Sequence, residues 1–255
     1  MTGKSARGLA IGAVLVAASV SGSLGIKIGR QFEDNKRCCL LKRNPNIRVT
    51  LTEMLGLQTY YSQTGQDKWV TETMFPGVKD GYFLDVGSGD GVDGSNSKLL
   101  EEKGWKGICI DPFPEHMESR SCQLFKEVVF DQAGHKVRFK IAGGLGGVES
   151  ELGRFRETAS RGETVELTTV TLGDILERAH APKYIHYVSL DIEGAELKAL
   201  QGLPFEKYTL GALNIEHNDE EPKRTEISML LRSHGYKRVH TWLQDEFYVR
   251  DSPTP

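Results

Sequence analysis

Residues 82–91, Tyr-Phe-Leu-Asp-Val-Gly-Ser-Gly-Asp-Gly, constrain this chain more than any other stretch. They open as a short apolar run of strand length, the pattern of a parallel strand covered on both faces. They close in glycines at 87, 89 and 91, which let the chain turn tightly at the strand's C-terminal end and let a ligand approach bare backbone. Asp85 stands inside the apolar run, where a carboxylate is costly unless it meets a partner or serves a site at the strand tip. A strand-to-loop step of this kind is the organising unit of a doubly wound α/β sheet.

Two ligand registers overlap here. Gly89, Gly91 and Gly94 satisfy the G-x-G-x-x-G of a dinucleotide site. Asp85, Gly87, Gly89 and Gly91 satisfy the acid-x-G-x-G-x-G of a methyl-donor site, which keeps the first glycine at the strand end. A second apolar run, 107–111, ends in Asp111. An acid about twenty residues after the glycine loop is where such a sheet holds ribose hydroxyls. NAD and S-adenosylmethionine (SAM) both carry that ribose, so Asp111 predicts a nucleoside-bearing ligand without choosing between them.

Further runs complete the sheet. Strands are predicted over 126–130, 136–141, 165–170, 184–190 and 210–215, with a closing hairpin of 236–242 and 246–250. Thr171 is a plausible N-cap, and the helix carrying Ile227, Leu230 and Leu231 stops at Gly235. The glycine-rich 143–147 has no Lys-Ser/Thr after it to suggest phosphate cradling and is read as a mobile loop closing on substrate. Ahead of the sheet, 51–61 reads as a helix or turn. Ser62, Gln63, Gln66 and Asp67 form either a helix cap or a segment over the ligand. Strand C-termini share one edge of such a sheet, and Asp85, Asp111, Asp191, Glu193, Glu216, His217 and Asp219 all fall at or just beyond those ends.

Four segments in this order resemble the FkbM-type SAM-dependent methyltransferases: 61–67 (YSQTGQD), 83–91 (FLDVGSGDG), 171–176 (TLGDIL) and 190–196 (LDIEGAE). The resemblance covers roughly residues 58–250, and D-x-E-G-x-E is its most specific part. That segment belongs to no NAD pattern and decides between the two registers. Gly173 departs from it, standing where such proteins commonly carry another acid. The resemblance implies a class I methyltransferase fold: a doubly wound, mostly parallel seven-stranded sheet of Rossmann-like type. It also implies methyl transfer from SAM to a hydroxyl, often on a sugar or other natural product. Donor contacts are then expected from Gln66, Asp85, Gly87, Ser88, Gly89, Asp90 and Asp111, with Phe113 on the adenine or in the core. Candidate bases are Asp191, Glu193, Glu216 and His217. Asp191, Glu216 and Asp219 could instead hold a divalent metal that acidifies the hydroxyl. The alternative is a membrane-anchored binding or trafficking module that has kept the fold without the chemistry.

The net charge of −3 hides an asymmetry: residues 1–50 carry nine Lys/Arg against Glu33 and Asp34, or +7, leaving −10 for the remainder. An acidic domain argues against nucleic acid as a partner. Residues 9–26 are eighteen without a charge, near the minimum for a membrane span. A span is the first expectation, a secretory signal the second and a mitochondrial presequence the third. The excess of Lys/Arg after the stretch predicts a single-pass protein with its domain in the cytosol. The expected organisation is an anchor over 1–30, a basic linker over 31–50 and the methyltransferase domain over 51–255. Cys38 and Cys39 lie between basic pairs, where palmitoylation competes with two unmodified thiols. Cys109 falls in a core strand, Cys122 has no obvious partner, and nothing in the cysteine pattern requires an oxidising compartment.

Overall fold

The apolar runs pair side by side. A computed structural model describes residues 58–251. The expected anchor, the basic linker, Cys38, Cys39 and most of the helix or turn over 51–61 lie outside the described residues. Among the described residues no helix is long and apolar enough to cross a membrane.

Among the described residues eleven strands follow one another: β1 (Tyr82–Val86), β2 (Lys106–Ile110), β3 (Gln123–Phe125), β4 (Val128–Val129), β5 (Lys136–Ile141), β6 (Gly147–Val148), β7 (Glu163–Val170), β8 (Tyr184–Leu190), β9 (Thr209–Glu216), β10 (Tyr236–Trp242) and β11 (Asp245–Arg250). The α-helical segments among the described residues are α1 (Gln66–Lys68), α2 (Lys98–Glu102), α3 (Arg156–Ala159), α4 (Leu172–Arg178), α5 (Glu196–Gln201) and α6 (Lys223–Ser233).

Seven strands form one sheet in the order β10-β11-β9-β8-β1-β2-β3. From β3 to β9 the pairings are parallel, while β11 runs antiparallel to both β9 and β10. The strand order reverses between β1 and β8, and in an open α/β sheet that switch point is where ligands bind. One face packs Leu84, Ile108, Val188 and Leu213 against Ile175 and Leu200 from the helices; the other packs Phe83, Trp105 and Tyr187 with Val70. α4 starts where Thr171 predicted, in a reciprocal capping box: Asp174 N donates to Thr171 Oγ1 at 3.0 Å and Thr171 N to Asp174 Oδ2 at 2.9 Å.

Two expectations are corrected. The strand expected over 126–130 is not in the main sheet: only Val128 and Val129 are a strand, β4 beside β7, and the main sheet's edge is formed by the earlier β3, with Leu124 and Phe125 beside β2. Polar Lys126 and Glu127 separate the two apolar pairs, so the chain changes sheets there. β4, β7, β5 and β6 then form a second, four-stranded sheet. The glycine-rich 143–147 is a hydrogen-bonded turn leading into β6, with Leu145 N donating to Ala142 O and Gly146 N to Gly143 O. The second correction concerns Cys122, which is disulfide-bonded to Cys109.

Candidate active site

The cleft lies at the switch point, between the C-terminal ends of β1, β2 and β8 and the second sheet. Its floor is the glycine loop. Gly87 has φ +85°, and a Cβ there would sit 1.7 Å from the Asp191 carbonyl oxygen. Only glycine fits so close to the β8 end.

Asp111 closes the adjoining end. Its Oδ2 accepts from Gly89 N at 2.9 Å and its Oδ1 from Phe113 N at 2.7 Å. Each oxygen retains further acceptor capacity for a ligand hydroxyl. Burial raises the Asp111 carboxyl above the usual carboxylate range. Phe113 is 39% exposed, lines the cleft, and has its ring 5.6 Å from that of Phe139 on β5.

Asp85 works from beneath. Its buried carboxylate accepts from Ser97 Oγ, which also accepts from Arg120 Nη2 at 2.7 Å. Burial pushes this carboxyl up, opposed by the nearby Arg120 charge and the Ser97 bond. Asp85 therefore braces the loop from strand to following segment. Asp90 Oδ1 accepts from Val92 N and Asp93 N at 2.9 and 3.0 Å, and its Oδ2 lies 2.6 Å from His116 Nδ1.

Two buried polar atoms among the lining residues have no protein partner: Ser88 Oγ and Asn96 Oδ1. The Asn96 amide is oriented by its own Nδ2, which donates to Ser189 Oγ at 2.9 Å. A buried acceptor without a partner is costly, and a ligand supplying N–H or O–H groups removes that cost. Ser88 was legible in the sequence. Asn96 was not, because Ser95-Asn96-Ser97 ahead of Leu99 and Leu100 reads equally well as a helix cap.

The far edge is acidic. Asp191, Glu193 and Glu216 offer carboxylate oxygens all within 4.8 Å of one another. Asn218 Nδ2 bridges them, donating to Glu216 Oε2 at 2.7 Å and Glu193 Oε2 at 3.3 Å, while Arg154 Nη2 donates to Asn218 Oδ1 at 2.6 Å. Burial and then the Glu216 charge raise Glu193 to about 8. The same two causes push Asp191 well above its ordinary value. Glu196 shapes the loop that carries this edge: its buried Oε1 accepts from Ile192 N and Gly194 N, both at 3.0 Å. Burial raises it to about 7.

Other sequence candidates stand elsewhere. Gln66 is buried, but its Nε2 donates to Asp245 Oδ2 at 2.9 Å, and Gln63 rather than Gln66 lines the cleft. His217 is buried outside that lining. Its Nδ1 accepts from Asp219 N at 2.9 Å, its Nε2 has no partner, and burial followed by the Arg224 charge lowers its pKa. Asp219 is 3.5 Å from Arg224 and is not part of the carboxylate trio; Glu193 occupies that place.

Eight carboxylate residues line the cleft, Asp85, Asp90, Asp93, Asp111, Glu115, Glu127, Asp191 and Glu193, with no Lys or Arg among the lining residues. The cleft thus joins the glycine loop of a doubly wound sheet to Asp111 at the end of β2 and to an acidic lining. The methyltransferase FkbM domain is matched over residues 85–238 of the 255, and the chain belongs to that family. No curated protein matches it.

Proposed function

We propose that the chain transfers a methyl group from SAM to a hydroxyl oxygen of a sugar or other small molecule. The observation that carries this reading is the charge of the cleft. Burial draws Asp85, Asp111, Asp191 and Glu193 toward the neutral form, and Glu127 is paired with Arg178. Asp90, Asp93 and Glu115, with no lining Lys or Arg, still leave the cleft a net negative charge that favours a cationic ligand over a pyrophosphate. SAM, when bound, supplies a methyl group already activated by its sulfonium.

The chain then has to bind, align, exclude water and remove one proton. Asp111 supports the ribose hydroxyls through the remaining acceptor capacity of its two oxygens. Ser88 Oγ and Asn96 Oδ1 are acceptors for the donor's N–H and O–H groups. Phe113, Phe139 and the turn after β5 provide an apolar wall that keeps water out. The acceptor hydroxyl loses its proton to Glu193, whose value of about 8 makes it a stronger base than an ordinary carboxylate. Asn218, oriented by Arg154, holds Glu193 in place, and the neighbouring Glu216 charge keeps its basicity high. His217, away from the cleft lining, has no part in that transfer. The trio is also a set of oxygen ligands of the kind Mg²⁺ takes; calorimetry with MgCl₂ tests that binding, and the proton transfer to Glu193 requires none.

A base must be ionised to accept a proton, so the rate is expected to rise with pH up to about 8. Glu193→Gln should lower kcat by about 10²–10⁴-fold, the usual worth of a general base, with S-adenosylhomocysteine affinity largely kept. Unchanged kcat and an unchanged pH profile in Glu193→Gln would remove Glu193 from the reaction.

A further inference from the structure

Cys109 and Cys122 are joined by a disulfide that closes a loop of sequence separation 13, with Cα atoms 5.8 Å apart. Cys109 is fully buried on β2, two residues before Asp111, and Cys122 immediately precedes β3. The closed loop contains Asp111, Phe113 and Glu115, all of which line the cleft. It also grips the glycine loop from outside: Gly91 N donates to Glu115 O and Glu115 N to Gly89 O, both at 2.9 Å. Near the disulfide, Arg120 donates to Glu101 Oε2 at 2.6 Å and to the Gly91 carbonyl at 2.9 Å, and Cys122 N donates to Glu101 Oε1 at 2.6 Å.

We propose that the Cys109–Cys122 bond is a functional modification, a covalent clasp that holds the 111–122 loop against the glycine loop and so sets donor affinity. The ligand in this proposal rests on the SAM reading above; the clasp itself does not. The bond forms by thiol–disulfide exchange with an oxidised dithiol protein or oxidised glutathione. Cys109 and Cys122 lose two protons and two electrons between them, and the donor disulfide leaves as two thiols. Cys122, half-buried, is the sulfur that an exchanging partner reaches first. Bonds of this type persist in oxidising compartments and are rare where the glutathione pool keeps thiols reduced. The clasp therefore assigns the domain to the non-cytosolic side, opposite to the orientation expected from the basic flank of residues 9–26.

The test uses the full chain in detergent, purified without reductant. Peptide mapping after alkylation is expected to find Cys109 linked to Cys122. Reduction with dithiothreitol should then weaken S-adenosylhomocysteine binding by about tenfold, because the freed loop must be ordered on binding. It should also speed amide exchange over residues 111–122 while cooperative melting is retained. Cys122→Ala, which leaves buried Cys109 in place, should reproduce the reduced state. Free thiols at both positions even after treatment with oxidised glutathione would overturn the proposal. So would a bond whose reduction leaves S-adenosylhomocysteine affinity unchanged in a chain that binds it, or leaves exchange over 111–122 unchanged. If neither redox state binds S-adenosylhomocysteine but reduction still accelerates exchange over 111–122, the SAM reading falls and the clasp stands.

Discussion

Asp111 and Glu193 stand at opposite ends of the cleft, and the roles proposed for them each give a measurable consequence. Asp111→Asn keeps the side-chain size but replaces one acceptor oxygen by a donor. Losing charge-assisted bonds to two ribose hydroxyls should weaken S-adenosylhomocysteine binding by about 100-fold, measured by calorimetry. Glu193 makes stability depend on pH. Its value rises from 4.5 to about 8 on folding, and Glu196 and Asp191 move the same way. Between those limits the folded state holds more protons than the unfolded one, so stability is full below the ordinary carboxylate range and is lost as pH rises through about 8. Glu193→Gln should flatten that decline in urea titrations run from pH 5 to pH 8.5; an identical slope in both proteins would show that Glu193 is not buried beside Glu216 as described. The residue identities at the cleft were largely legible, because acids at strand ends break an apolar pattern. Their grouping was less so. Glu216 ends β9 and Asn218, with φ +51°, turns back to bond its carboxylate, while His217 between them lies outside the cleft lining. That grouping depends on the turn beyond the strand, which no strand periodicity predicts.

Elements differ in how firmly the sequence specifies them. β1, β2, β8 and β9 are covered on both faces, and their mainly apolar runs, interrupted only by polar residues such as Asp85, Ser189 and Asn214 that are buried and bonded, leave little choice of structure. α4 is specified by its own cap, and Thr171→Ala should cost about 1 kcal/mol in denaturant unfolding, while Thr171→Ser keeps the oxygen and should cost much less. The second sheet was hidden for the opposite reason. β4 and β6 are two residues each, too short for any periodicity, and their pairing depends on β7 lying between β4 and β5. The disulfide was hidden in the same way. Cys109 pairs with Leu124 in the β2–β3 register, and only that register brings Cys122 within reach. The place of Gln66, off the cleft lining, was hidden at this scale as well. The segment before β1 is tied down by Thr64 and Gln66 on Asp245, 181 and 179 residues away, a contact that no local pattern announces.

At the scale of the whole molecule, charge and topology act together. The switch point between β1 and β8 opens a cleft, and the domain's excess of acid is concentrated on its walls. A cationic donor and an uncharged acceptor suit such a cavity; a pyrophosphate does not. Membership of the FkbM methyltransferase family fixes the class, and the proposal of SAM as its ligand rests on the cleft's charge. The direct test is calorimetric titration of the oxidised full chain in detergent with S-adenosylhomocysteine, with NAD run in parallel. Micromolar binding of S-adenosylhomocysteine and none of NAD is expected, the former lost in Asp111→Ala. NAD binding, or no S-adenosylhomocysteine binding by a folded sample, would contradict the assignment of this cleft to SAM.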